Sequence, residues 1–345
     1  MQLGSLIIDI AGNELTNEDI DLLKHPYIGG IILFSRNFVS VDQIKELIRK
    51  IKSLRSPSLI VYVDQEGGRV QRFKEGMTLL PSISLLGEKY IADSDEASLI
   101  ARELGWLTGF ELTSIGIDVN TSPVLDINFK RSNIMADRCF SEKPKTVSLL
   151  AESFILGSKE SCISSICKHY PGHGFAKADS HVELPLDSRD IKTIFQNDLL
   201  PYKKAIDLKI DGIMTSHVLY KNIDNFPPTL SKKWIQILRN DFRYKGLIFS
   251  DDLSMKALNE FGEIQDNVLK SISIGCDCLF ICNNRDEVIS ILDNIVIENN
   301  IEVSSKLIKL SKNNIDDNFE KNKRRLSVID SLKRITVKKQ IEINI

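Results

Sequence analysis

Phe249-Ser250-Asp251-Asp252 places two adjacent carboxylates behind a short apolar run. Both cannot enter a core without a large desolvation cost, so one should face a pocket and the other cap the next helix. Asp251 is therefore a candidate nucleophile or electrostatic stabiliser; a double N-cap is the structural alternative. The stretch 168–185, KHYPGHGFAKADSHVELP, holds His169, His173 and His181, and His217 ends another apolar run. Pro171, Gly172 and Gly174 forbid a regular helix, so His169 and His173 are not the i,i+4 pair of a helical zinc site. Asp179 precedes His181 by two residues. A carboxylate that accepts from one imidazole nitrogen fixes the tautomer and raises the basicity of the other, which would make a general acid/base; a loop turn stabilised by Asp179 would read the same way. In Asp64-Gln65-Glu66-Gly67-Gly68-Arg69-Val70 the glycines let the backbone turn sharply beside a ligand. Asp64 could accept from two vicinal sugar hydroxyls, or pair with an arginine below the pocket. Lys168 and Arg138 could donate to hydroxyls or an acyl oxygen, or be salt-bridged at the surface.

Eight short apolar runs must position these groups: Ser5–Ala11, Gly30–Phe34, Leu59–Asp64, Ile117–Ser122, Ser164–His169, Gly212–His217, Gly246–Asp251 and Cys276–Cys282. Their lengths suit buried strands. Helical patterns lie between them. Ser40-Val41-Asp42-Gln43 has capping-box spacing, followed by Ile44, Leu47, Ile48, Ile51 and Leu54 on one face. Ser94 to Ile115 reads as a longer helix with Leu99, Leu104, Leu107 and Phe110 inside. Pro144 suits a first helical turn, with Val147, Leu150, Ala151 and Phe154 on one face. Ser231 can cap a short helix through Ile235 and Leu238. Trp106 and Trp234 fall in helical patterns and read as core. Eight strands alternating with helices predict an α/β fold, a parallel sheet closed into a (β/α)8 barrel over residues 1–300, with the polar ends of its strands forming the site. A doubly wound sheet is the alternative, but no GxGxxG follows the first strand. Residues 301–345 are expected to be C-terminal helices packed on the barrel and a frayed tail.

The 345 residues carry 45 Lys and Arg against 47 Asp and Glu, a net charge of −2 that gives no basic footprint for nucleic acid. With 42% apolar and 27% charged residues the chain is globular rather than disordered. No apolar run reaches the roughly 18 residues a membrane span needs, and the N-terminus lacks the basic start of a signal peptide. Cys139, Cys162, Cys167, Cys276, Cys278 and Cys282 form no CxxC pair and read as buried free thiols of a reducing compartment. Cytoplasm follows as the expected location. The partner is expected to be a small-molecule substrate, with no nucleic acid and no membrane, and the chain is expected to be a monomer.

KHYPGHG followed by DSH, then DQEGGRV, SPVLDI and FSDDLSM, together resemble family 3 glycoside hydrolases. More narrowly they resemble the single-domain bacterial β-N-acetylglucosaminidases (β-hexosaminidases) of peptidoglycan recycling. The resemblance spans about residues 5–285. It implies a TIM-like barrel, a retaining two-step mechanism and no cofactor or metal. It makes Asp251 the nucleophile, His181 the general acid/base and Asp179 the residue that orients His181. Asp64, Arg72, Arg138, Lys168 and His169 are the candidate substrate-binding residues. The implied substrate is N-acetylglucosamine linked to a 1,6-anhydro-muramyl peptide. Ala136 and Ser216 depart from the family pattern, which usually has glycine and alanine there.

The chemistry is coherent: an imidazole of ordinary pKa near 6.5 can both donate and accept a proton near neutrality. Multidomain relatives often draw their acid from another domain; here the Asp179–His181 loop would supply it, and this long loop is expected to close on substrate. Phosphorolysis, or a broader β-glycosidase activity, is the rival within carbohydrate chemistry. A metal-dependent hydrolase using His169, His173, His217 and Asp251 is a second rival, and a non-catalytic sugar-binding barrel a third.

Overall fold

A computed structural model of the chain describes residues 2–312 and 319–343, with side chains of the second stretch described over 320–333. Eight parallel strands form one sheet: β1 (Leu6–Ile8), β2 (Ile28–Leu33), β3 (Ile60–Val63), β4 (Val119–Asn120), β5 (Ser164–Tyr170), β6 (Gly212–Thr215), β7 (Leu247–Phe249) and β8 (Leu279–Phe280). Each of the eight apolar runs contributes one of them. Strands follow one another around the sheet in chain order, with β8 beside β1. β7 and β8 meet at a bridge between Phe249 and Cys278, where the Ser250 N–H donates to the Cys278 carbonyl at 2.9 Å. The ring is thereby a TIM-like barrel, and the doubly wound alternative is excluded because β1 lies between β2 and β8. The strands are buried throughout, which is why they read as unbroken apolar runs rather than as alternating ones.

Aromatic rings fill the barrel interior. Tyr62 meets Phe249 and Phe280 edge-on, with centroids 6.1 and 5.6 Å apart. Gly30 and Gly212 make room for them: a Cβ on either would stand 2.5 Å from the Tyr62 ring or 2.6 Å from the Phe249 ring.

Helices return the chain between strands: α1 (Asn17–Lys24) after β1, α2 (Val41–Ser53) after β2, α3 (Ser84–Ala92) and α4 (Ser94–Ser114) after β3, α5 (Pro144–Glu160) after β4, α6 (Ile191–Gln196) and α7 (Leu199–Asp207) after β5, α8 (Lys232–Gln236) after β6, α9 (Ile264–Ile274) after β7 and α10 (Arg285–Asn294) after β8. Ser40 caps α2 through the Gln43 N–H, but the Gln43 side chain reaches back to the N–H of Val39 rather than of Ser40. Leu99 corrects the expected inner face of α4: it is 60% exposed, on the side of the helix away from buried Ala97, Ala101 and Leu104. Both tryptophans are buried, as expected. All six cysteines are free, although Cys162 is only half-buried.

After α10, α11 (Ile301–Ile308) closes the amino-terminal end of the barrel. Its Leu307 is fully buried against Gly29, and its Ser304 hydroxyl accepts the Leu3 N–H at 2.9 Å. α12 (Lys323–Ile343) docks on α4: Arg324 forks onto Glu103 at 2.8 and 3.0 Å and covers the Trp106 ring, and Arg325 reaches buried Glu111 at 2.7 Å. The expected frayed tail, at residues 344 and 345, lies outside the described residues.

Candidate active site

The carboxyl ends of the strands gather the polar residues at one mouth of the barrel. β3 delivers Asp64, and the chain then folds into a hairpin of Gln65–Gly67 with Val70–Gln71. Gly67 and Gly68 turn it with φ of 103° and 55°, the left-handed region that a side chain disfavours. Gln65 fixes the hairpin: its N–H donates to Asn120, and its side-chain oxygen accepts from the Arg72 N–H at 2.9 Å. β5 is irregular between Cys167 and Tyr170, and the Lys168–His169 peptide bond within that stretch is cis. Lys168 and His169 are thus neighbours in the chain that meet different carboxylates.

Lys168 Nζ lies 2.6 Å from Asp64 and 2.7 Å from Glu66. Arg138 forks onto Glu66 with both contacts at 2.8 Å, and Arg72 reaches the other Asp64 oxygen at 3.0 Å. The Thr121 hydroxyl also donates to Asp64. The Asp64–arginine pair foreseen as an alternative forms with Arg72; Arg69 pairs instead with Asp137 at 2.7 Å. Lys168, Arg138 and Glu66 are largely buried, so this is no surface salt bridge. Burial alone would push the Asp64 and Glu66 carboxyls up, but the facing cations outweigh it: Asp64 falls far below the carboxylate range, and Glu66 falls to about 2. Lys168 is likewise raised, because the two carboxylates overcome its own desolvation. The result is a fixed row of alternating charges able to accept from and donate to neighbouring hydroxyls.

His169 Nδ1 lies 2.7 Å from buried Asp126, which also accepts the His173 N–H at 2.5 Å. Asp126 is held low because His169 and His173 outweigh its burial. His217 uses both ring nitrogens, at 2.9 Å from the Asp252 carbonyl and 3.0 Å from the Thr229 hydroxyl. That occupancy leaves His217 no free nitrogen for the metal reading. The two adjacent carboxylates divide their work. Asp252 accepts from the N–H groups of Ser254 and Cys282, both at 3.0 Å, so it ties a turn to the end of β8 rather than capping a helix. Its burial pushes it up to about 6. Among the described residues Asp251 accepts only the Asp252 N–H, at 2.8 Å. Burial raises its carboxyl, but His169 and His217, then the Asp252 N–H, then His181 outweigh it and hold it below the ordinary value. A carboxylate kept ionised yet otherwise uncommitted suits a nucleophile.

Asp179 and His181 do pair: Asp179 Oδ1 lies 2.8 Å from His181 Nδ1 and also accepts the His181 N–H at 3.0 Å. His181 is 63% exposed, with Nε2 left for other contacts. Sequence reasoning missed Glu66, Asp126 and Thr121 as members of this site. Glu66 and Asp126 stand inside the DQEGGRV and SPVLDI motifs, but only the folded barrel shows that they hold Arg138 and His169.

Comparison with known proteins bears on the family and the fold. The pattern of the glycosyl hydrolase family 3 N terminal domain matches residues 2–321. A β-hexosaminidase of Nitrosomonas eutropha is 43% identical over 296 residues, covering 86% of this chain and 85% of its own length. One from Idiomarina loihiensis is 44% identical over 292 residues, covering 84% and 87%. The crystal structure of NagZ from Neisseria gonorrhoeae in complex with N-trifluoroacetyl-D-glucosamine superposes with a TM-score of 0.92 at 35% identity, covering 97% of this chain and 98% of that one.

Proposed function

The chain belongs to glycosyl hydrolase family 3, and from that premise we propose that it is a retaining exo-β-N-acetylglucosaminidase that removes terminal N-acetylglucosamine from anhydro-muramyl peptides during cell-wall recycling. A retaining mechanism needs a group that forms a covalent sugar ester and a group that moves protons. Asp251 is the first: its carboxylate attacks the anomeric carbon while the bond from that carbon to the leaving oxygen breaks. His181 is the second: its Nε2 proton passes to the leaving oxygen, and Asp179 stabilises the imidazolium. In the second step neutral His181 takes a proton from water, the water oxygen bonds to the anomeric carbon, and the ester to Asp251 breaks. Asp64, Arg72, Arg138, Lys168 and His169 hold the sugar hydroxyls and acyl group.

The observation that carries this reading is the division between Asp251 and Asp252, one ionised and uncommitted, the other consumed by backbone N–H groups. The N-trifluoroacetyl-D-glucosamine of the Neisseria complex supports an amino-sugar substrate. Six free cysteines support a reducing, cytoplasmic setting. Among the described residues no helix is long and apolar enough to cross a membrane.

The test is release of a coloured aryl group from its β-N-acetylglucosaminide and its β-glucoside, with wild type and Asp251→Ala in parallel. Turnover should favour the N-acetyl sugar and fall by several orders of magnitude in the variant, since loss of a covalent catalyst leaves only binding and positioning. Preference for the glucoside would overturn the recycling role, and turnover of neither would overturn the glycosidase reading. Free sugar rather than sugar 1-phosphate in phosphate buffer separates hydrolysis from phosphorolysis.

A further inference from the structure

His181 is exposed and, among the described residues, its ring is held by Asp179 alone, so its own packing does not fix where its Nε2 points. Its position is set by how the loop that carries it is seated. The stem of that loop is immobilised by close contacts. Tyr220 donates its hydroxyl to the Gly172 carbonyl, and a Cβ on Gly174 would stand 1.8 Å from the Ile127 carbonyl. The Phe175 ring lies against the guanidinium groups of Arg131 and Arg189, at 3.9 and 4.3 Å. Beyond this stem, residues 177–184 are exposed or half-buried with one exception. Ser180, between the two members of the acid–base pair, is only 4% exposed.

Two contacts seat Ser180. Its carbonyl accepts the N–H of Ala257 at 3.1 Å, and Ala257 belongs to the segment that follows Asp251 and Asp252. Its hydroxyl lies 3.4 Å from His173 Nε2. The ring of His173 is buried, and among the described residues its Nδ1 has no hydrogen-bond partner. Burial and the neighbouring His169 lower His173 to about 4, so at neutral pH the ring is uncharged and its one polar engagement is with the loop tip. A buried imidazole with one ring nitrogen unsatisfied carries a desolvation cost, which the Ser180 contact offsets in part.

We propose that Ser180, seated on His173 and on the backbone of Ala257, is a positioning residue that docks the acid–base loop onto the nucleophile's own segment. Neither Ser180 nor His173 touches the reacting atoms; they act by setting the separation of His181 from Asp251. The proposal rests on the retaining mechanism above and names a component that the mechanism does not itself require.

The experiment compares aryl β-N-acetylglucosaminides whose leaving groups run from dinitrophenol, which departs without a proton, to phenol, which needs one. Wild type, His181→Ala, Ser180→Ala, Ser180→Thr and His173→Gln are assayed for kcat and KM. Loss of the general acid itself should cost His181→Ala about 10²- to 10⁴-fold on the phenyl substrate and much less on the dinitrophenyl one. Misplacement of that acid should cost Ser180→Ala and His173→Gln about 10- to 100-fold in kcat for the phenyl substrate, with KM little changed and dinitrophenyl cleavage nearly intact. Ser180→Thr, which keeps the hydroxyl, should recover most of the loss. A steep leaving-group dependence in His181→Ala combined with a flat one in both Ser180→Ala and His173→Gln would overturn the docking role alone. A flat dependence in His181→Ala would overturn the acid assignment, and the docking role with it.

Discussion

Glu66 shows how much of this site is carried by residues that hold other side chains in place. It neutralises Arg138 and Lys168 together, so Glu66→Gln takes from buried Arg138 the carboxylate it forks onto and leaves buried Lys168 to share Asp64 with Arg72. Removing one partner of a buried charge pair costs about 3–5 kcal/mol, and a loss of that size is expected in urea unfolding, together with a raised KM. His173 predicts a pH effect. Its ordinary value is 6.5 and in the folded chain it is lowered to about 4, so between these pH values the unfolded chain binds a proton that the folded chain does not. Stability conferred by neutral His173 is therefore complete above pH 6.5 and is lost as pH falls toward 4, by on the order of 3 kcal/mol. Asp198 and Asp252, pushed up to about 6, act with the opposite sign in the same range. They do so in wild type and His173→Gln alike, so the pH dependence of the difference between the two unfolding free energies isolates His173, and that difference should become constant above pH 6.5. The residue types of the site were legible in the sequence because catalytic side chains follow strand ends. Their partners were not: Glu66 and Arg138 are 72 residues apart, and no local pattern joins them.

At the scale of elements, α4 and α5 cross closely because glycines face the contact. A Cβ on Gly157 would stand 1.8 Å from the Arg102 carbonyl, and one on Gly105 2.1 Å from the Phe154 carbonyl. Backbone cannot yield as a flexible side chain can, so Gly157→Ala should cost at least about 1–3 kcal/mol through separation of the helices. Gly12→Ala, with no atom within 4 Å of the new Cβ, is the matched control and should stay within about 0.5 kcal/mol. The strands were readable as apolar runs since both of their faces are covered. Leu99 was misplaced because the buried stripe of α4 runs through the small residues Ala97 and Ala101 to Leu104, and at about 100° per residue Leu99 points away from it.

At the scale of the molecule, the two ends of the barrel are treated differently. The carboxyl end stays open and polar, while α11 seals the other with Val303 and Leu307, and Leu310 just after it adds to the seal. We propose that the C-terminal helices pack on the barrel, α11 as this cover and α12 on α4, and form no second catalytic unit. Leu307→Ala should then lower stability by about 2–5 kcal/mol in urea unfolding while kcat of the folded enzyme is unchanged. The covering also ties together distant parts of the chain, since the Leu3 N–H meets Ser304, 301 residues further on. During synthesis at about 5–20 residues per second, the partner of that first strand's neighbourhood emerges roughly 15–60 s after it. Throughout that interval β1 presents an unpaired edge on the side that β8 will fill. The nascent chain therefore passes through a long window in which an almost complete sheet can be extended by a neighbouring copy, and low temperature or slow translation should widen it.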